Sequence, residues 1–269
     1  MPNGYPENKG HKGIVFPSPI FGPIHSRRLG ISLGINLMPA DGKICTFDCI
    51  YCECGLNAER PVRLPRPTRE EVRTALQHKL EEMQAAGTAP DVITFAGNGE
   101  PTAHPQFPEI IADTLALRNR FFPNAKVSVL SNATRTSNEE VHRALMAVDN
   151  NIQKLDTVCP DYIQRINRPQ GHYDVAEIIK ALVAFKGHVI VQTMFMAGTD
   201  ADGVDVDNCG DEYVLPWLAA VKQIAPSEVM IYTIARETPV QSLRKAAPEQ
   251  LDRIARLLEA EGIKVSVSY

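Results

Sequence analysis

Between Ile31 and Val267, short apolar runs alternate six times with stretches that carry apolar residues at helical spacing. That alternation restricts the chain to parallel βαβ units, because parallel neighbours need a crossover and an amphipathic helix supplies one. The runs expected as strands are Ile31–Leu37, Asp91–Phe95, Ala125–Leu130, Ile152–Asp156, His188–Met196 and Glu228–Ile234, with Ile263–Val267 closing the series. Helices are expected from Thr68 to Gly87, over Pro108–Arg120, from Ser137, and over Asp174–Lys186, Glu212–Ile224 and Pro248–Glu261. Thr68-Arg-Glu-Glu71 has the capping-box pattern, and Ser137 with Glu140 repeats it. No internal repeat or long linker divides the units, and 269 residues leave the chain about two units short of an eight-stranded barrel. The expected fold class is therefore α/β, a partial (β/α)6 TIM-like barrel with parallel strands, filling residues 31–269 as a single domain. Residues 1–30, rich in Pro, Gly and basic side chains, are expected as an irregular N-terminal arm laid over it. The arm ends in Arg27-Arg28, a pair that is either solvated or reaches an anionic group.

In open parallel sheets ligands bind beyond the carboxyl ends of the strands, and the unusual residues of this chain fall there. After the first strand, Ile44–Gly55 places four of the six cysteines within ten positions. Cys45, Cys49 and Cys52 are spaced C-x3-C-x2-C, so three thiolates can face one side of a loop and hold three corners of a compact cluster. A cluster of four irons would keep one iron without a protein ligand. The competing reading is a zinc site that adds Cys54, which lacks the second C-x2-C pair or the histidines such sites use. Cysteines this close do not suit a disulfide framework, and Cys159 and Cys209 read as isolated thiols. Tyr51 is an aromatic placed either to cover a bound planar group or to pack on the barrel rim.

The later strand ends carry Gly97-Asn98-Gly99-Glu100-Pro101-Thr102, then Ser131-Asn132, then Lys154 and Asp156, which alternate and so share a face. The glycine stretch reads either as a tight βα turn or as backbone that a ligand approaches closely. Ser131-Asn132 reads as a helix cap or a donor pair, and Lys154 with Asp156 as an ion pair or a binding pair. Gln192 and Thr193 point to opposite faces of their strand, with Gln192 favoured for the pocket. Tyr232-Thr233-Ile234 ends the sixth strand. The acidic stretch Thr199–Glu212 lacks the Gly and Glu positions of a calcium-binding EF-hand loop, so it reads as a solvated loop beside the mouth. His104 is the one histidine close enough to the glycine stretch to be a functional candidate.

Composition removes several classes. With 44% hydrophobic and 22% charged residues the chain can bury a core, and a formal net charge of −4 argues against attachment to nucleic acid or anionic membrane by bulk electrostatics. No run reaches the roughly 18 apolar residues of a membrane span, and the first residues lack the apolar centre of a signal peptide, so a cytoplasmic protein is expected.

Cys45-Thr-Phe-Asp-Cys49-Ile-Tyr-Cys52, followed one strand later by Gly97-Asn-Gly-Glu-Pro-Thr, resembles the radical S-adenosylmethionine (radical SAM) enzyme superfamily. The resemblance runs from about Gly22 to Arg236. Ser26-Arg-Arg-Leu-Gly30, Gly97–Pro101 and Ile231-Tyr-Thr-Ile234 are most similar to the branch of wybutosine-synthesis-like iron–sulfur proteins. The resemblance implies a [4Fe–4S] cluster on Cys45, Cys49 and Cys52, with SAM chelating the open iron. It implies one-electron cleavage of SAM to a 5′-deoxyadenosyl radical that abstracts hydrogen from an RNA nucleoside, a peptide or a small metabolite, with flavodoxin or ferredoxin as electron donor. For SAM itself it implies backbone acceptors at Gly97, Asn98, Gly99 and Glu100 for the ammonium, with Ser131, Asn132 and Lys154 near the carboxylate. Asp156 then falls at the ribose hydroxyls, Gln192 and Tyr51 in the pocket, and the main chain of Tyr232, Thr233 and Ile234 at the adenine. Two other classes share these features: an activating enzyme that places a radical on a glycine of a partner protein, and a non-catalytic iron–sulfur or zinc binding protein.

Overall fold

The computed structural model describes residues 13–26, 30–59 and 61–269. Arg27 and Arg28 lie outside the described residues. The elements in chain order are β1 (Ile20–Ser26), β2 (Gly30–Ile35), α1 (Arg69–Ala85), β3 (Val92–Phe95), α2 (Phe107–Phe121), β4 (Lys126–Ser131), α3 (Glu139–Ala147) and β5 (Asn150–Lys154). They continue with α4 (Pro160–Ile166), α5 (Val175–Val183), β6 (Ile190–Met194), β7 (Met196–Gly198), α6 (Asp211–Ile224), β8 (Glu228–Tyr232), β9 (Leu243–Lys245), α7 (Pro248–Ala260) and β10 (Val265–Ser268).

One sheet runs in the order β1-β2-β3-β4-β5-β6-β8-β10, and every pairing from β2 to β10 is parallel. The six expected strands and the closing one are all present, as a partial barrel with helices on its outer face. β1 departs from the irregular arm expected there and pairs antiparallel with β2. Its Gly22-Pro23 breaks the strand pattern in sequence, but an edge strand tolerates Pro because one side of its backbone needs no partner. Gly34 makes the pairing possible: the Phe21 ring fills the space where a Cβ would sit, 2.2 Å from the nearest ring carbon.

The two faces of the sheet separate cleanly. On the helix side Phe95 meets Phe107 of α2 with centroids 6.1 Å apart, and Trp217 of α6 donates through its indole N–H to Thr193 Oγ1 at 3.1 Å. On the other face, the lumen, Ser32 and Thr94 share a 2.9 Å hydrogen bond and Asn150 donates to Ser128. Above them Leu130, Ile152, Ile190 and Met230 form an apolar plug. One step further up each strand come Asn132, Lys154, Gln192 and Tyr232, so period-2 alternation delivers a polar layer to the barrel mouth.

Three local expectations change. α3 is capped by Asn138, whose side chain accepts from the Glu140 and Val141 amides, instead of by Ser137. α4 was not expected, because seven residues give too few turns to show helical periodicity. The fifth expected strand breaks after Met194: Asn208 accepts from Met196 N and donates to Met194 O, turning the chain so that β7 pairs with β9 as a separate ribbon.

The capping assignment is open to test by urea unfolding. Asn138→Ala should cost about 1 kcal/mol, because two amides lose their acceptor. Ser137→Ala, at an exposed position, should stay within about 0.5 kcal/mol of the parent protein.

Candidate functional site

The cysteine loop leaves β2 and returns across the mouth of the barrel, where backbone contacts fasten it to the glycine stretch after β3. Ile44 N donates to Asn98 O at 2.9 Å and Glu100 N to Ile44 O at 3.3 Å. Gly99 has φ +142°, and a Cβ there would lie 1.8 Å from Ile44 O; Gly97 has φ +122° and a Cβ there would meet Asn36 at 2.8 Å. Both positions therefore require glycine for their backbone angles and for close approach, Gly99 to the cysteine loop and Gly97 to the Asn36 side chain just after β2. The Asn98 side chain faces away from the lumen and clasps the arm instead: it accepts from Phe16 N at 2.8 Å and donates to Phe16 O and Pro39 O. The role expected of Asn98 is a backbone one, and its carbonyl accepts from Ile44 N.

Within the loop Cys49 is buried and Cys45, Cys52 and Cys54 are half-buried. Asn132 Nδ2 donates to Cys45 Sγ at 3.6 Å and Asn167 Nδ2 to Cys49 Sγ at 3.5 Å. The Cys54 thiol donates to Gly97 O at 3.4 Å and sits beside Cys52. That neighbour's hydrogen bond, opposed by burial and helped by Lys43, draws the Cys52 thiol down, while Cys54 is held up. Burial pushes Cys45 and Cys49 upward, against the pull of the Lys43 and Lys154 ammonium groups. Lys43 is buried, donates to Gly55 O at 2.8 Å and to Asp48 at 3.3 Å, and feels all three spaced cysteines. Burial works against its charge, yet the Cys52, Cys45, Cys49 and Asp48 groups raise it on balance. Soft sulfur donors beside a fixed cation and two amide N–H groups suit an anionic iron–sulfur centre. Among the described residues no three Cys, His, Asp or Glu side chains close on a single ion.

Under Cys49 lies a buried polar network. Tyr51 Oη donates to Asp156 Oδ2 and receives from Lys154 Nζ at 3.1 Å and Asn167 Nδ2 at 3.0 Å. Lys154 also donates to Tyr232 Oη at 3.2 Å and stands 3.6 Å from Asp156, whose carboxylate is fully buried. Asp156 accepts further from Asn167 at 2.8 Å and, through Oδ1, from Met194 N at 2.9 Å. These bonds compensate the burial of its charge, since a buried carboxylate is tolerable only with such compensation. Burial opposes the charge on Lys154, but Asp156 leads the groups that raise it. The Tyr51 hydroxyl is likewise used inside the network.

Glu100 is buried, and burial pushes its carboxyl up against hydrogen bonds from Thr102, Asn132 N and Ser131. It braces the end of β3 against the end of β4. Ser131 Oγ accepts from Ala133 N, and Asn132 Oδ1 from Thr134. Gln192 pairs in register with Lys154 and, with Thr193 turned to Trp217, faces the lumen; its carboxamide has no partner among the described residues. Thr233 Oγ1 accepts from Ala246 N, and Ile234 packs with Phe47, Ile50 and Tyr51. His104 is structural: one ring nitrogen lies 2.8 Å from Pro67 O, the other accepts from Gln106 N, and burial lowers its affinity for a proton. Asn167 was missed in the sequence because it reaches Cys49 across 118 positions, and Lys43 because a lone lysine beside the motif carries no pattern of its own; the expected arm does lie over the domain, with Ile14 N donating to Glu53 O of the cysteine loop.

The family model that matches residues 41–206 is described as the radical SAM superfamily. UPF0026 protein slr1464 of Synechocystis sp. is 32% identical over 235 residues, which cover 84% of this chain and 79% of that protein. Among solved structures, SuiB of Streptococcus suis bound to S-adenosylmethionine superposes with a TM-score of 0.62 at 11% identity, covering 96% of this chain. The chain spans about half of SuiB, 52% of its length. Archaeal TYW1 superposes with a TM-score of 0.52 at 12% identity, covering 85% of this chain and 71% of that one. No helix among the described residues is long and apolar enough to cross a membrane.

Gly99→Ala should lower stability by at least about 2 kcal/mol in urea unfolding, since it combines a strained backbone with a collision against Ile44 O. Gly171→Ala, where an added Cβ meets nothing within 4 Å, serves as the control and should be close to neutral.

Proposed function

The chain belongs to the radical SAM superfamily, and from that membership we propose that Cys45, Cys49 and Cys52 hold its [4Fe–4S] cluster while the neighbouring strand ends hold SAM. When bound, the cluster and SAM together supply a one-electron reductive cleavage that yields a 5′-deoxyadenosyl radical. The observation that carries the assignment is the bonding of Asn132 and Asn167 to the Cys45 and Cys49 sulfurs, since an amide N–H aimed at sulfur supports a thiolate ligand.

The residues of the chain divide the work. Gly99 lets the cysteine loop, and Gly97 the Asn36 side chain, lie against backbone that can accept from the SAM ammonium. Lys154, fixed between Tyr51, Asp156 and Tyr232, presents a cation to the SAM carboxylate, with Gln192 beside it. Ser131 and Asn132 hold that side of the pocket through their own turn, and Glu100 braces it. Tyr232, Thr233 and Ile234 offer main chain to the adenine. Asn98 and Asp156 act by positioning: Asn98 fastens the arm over the loop, and Asp156 keeps Lys154 and Tyr51 in place. Phe47, Ile50, Met194 and Ile234 make the surroundings apolar, which keeps water from a carbon radical.

The proposed reaction is hydrogen abstraction of the oxidoreductase or lyase type from a substrate seated at the mouth, beneath the β7–β9 ribbon, with flavodoxin or ferredoxin supplying the electron. An RNA nucleoside, a peptide, a small metabolite or a partner glycine is distinguished by which addition raises SAM turnover above the substrate-free rate.

Anaerobically reconstituted protein given dithionite and SAM should release 5′-deoxyadenosine, read by chromatography. Cys45→Ala, Cys49→Ala and Cys52→Ala should each abolish that release and deplete iron, whereas Cys54→Ala should keep the cluster. Full iron in a protein lacking all three cysteines would refute the ligand assignment.

A further inference from the structure

Asn132 and Asn167 arrive at the cysteine loop from different parts of the fold and do the same thing there. Asn132 follows β4, and its amide nitrogen lies 3.6 Å from Cys45 Sγ; Asn167 closes α4, and its amide nitrogen lies 3.5 Å from Cys49 Sγ. Both are buried. Each is anchored at other atoms, so its amide is aimed independently of the sulfur. Asn132 N donates to Glu100 Oε2 at 2.7 Å and Oδ1 accepts from Thr134. Asn167 N donates to Ile163 O, and Asn167 O accepts from Asp48 N, both at 2.9 Å.

Reduction adds negative charge to an iron–sulfur centre and its ligand sulfurs. A fixed N–H donor on such a sulfur is therefore worth more in the reduced state than in the oxidised state, and it raises the potential. We infer that Asn132 and Asn167 are positioning residues that set the cluster's reduction potential by donating to two of its three cysteine sulfurs. The inference rests on the proposed ligation by Cys45, Cys49 and Cys52. Asparagine suits both positions chemically, because an aspartate would turn a carboxylate oxygen toward sulfur and oppose reduction. Asn167 carries a second consequence: its amide is shared with Tyr51 Oη and Asp156 Oδ2, so the donor to Cys49 belongs to the same network that fixes Lys154.

The test is a redox titration of anaerobically reconstituted protein followed by EPR of the reduced cluster, with iron content measured alongside. Asn132→Leu and Asn167→Leu keep the side-chain size and remove the donor. Each should lower the reduced-to-oxidised ratio at a fixed potential about tenfold, a shift of about 59 mV for one electron. Unchanged potentials at full iron content would overturn the inference while leaving the cluster reading intact. A parent protein that binds no iron would overturn the cluster reading itself. Should neither variant hold a cluster, parent protein labelled with 15N in the asparagine carboxamides decides the matter. Hyperfine coupling between the reduced cluster and those nitrogens is expected, and its absence would overturn the inference.

Discussion

The cysteine loop can close over the barrel because Gly99 carries no side chain. Ile44 O occupies the place of its Cβ, and the hydrogen bonds of Ile44 with Asn98 and Glu100 make the loop a continuation of the sheet beyond β3. From this contact a chain of bonds runs outward: Glu100 to Asn132 N, Asn132 to Cys45 Sγ and Thr46 Oγ1, and Thr46 to Thr134. A loop of twelve residues would otherwise have many conformations, and its sulfurs no fixed places. The barrel supplies the rigidity that the loop lacks.

Burial of charge is the second organising constraint. Lys43 and Lys154 flank the cysteines from two sides, each largely out of solvent and each with a carboxylate partner, Asp48 and Asp156. Such pairs contribute little net stability compared with apolar packing, so their presence beside thiols points to a purpose other than folding. Fixed cations next to a centre that gains an electron lower the cost of that gain without reorganisation. Sharing of the Asn167 amide among Cys49, Tyr51 and Asp156 ties the electrostatics of the cysteine loop to those of the network around Lys154.

What could be read from the sequence was whatever depends on spacing along the chain. The βα alternation, the C-x3-C-x2-C spacing and the placing of Gln192 opposite Thr193 are all local patterns; the partial barrel follows from the alternation, and the superfamily was legible as a resemblance of the cysteine and glycine motifs. β1 was hidden by Gly22-Pro23, which only an edge strand accommodates, and α4 by its shortness. The side-chain hydrogen bonds of Asn98 with Phe16 and of Asp156 with Tyr51 span 82 and 105 positions, so local spacing gave no sign of them. Asn167 carried no sequence signal: nothing within its own segment indicates that it meets Cys49, which lies 118 positions away. Cys54, unexplained by the cysteine spacing, has a place as the donor to Gly97 O.

The central claim is that three cysteines leave one iron open for SAM. The most direct measurement is the EPR spectrum of the reduced cluster before and after SAM is added. A change in the g-values on addition of SAM is the predicted result, because a new ligand enters the coordination of the open iron. A spectrum that stays the same at saturating SAM would contradict the account.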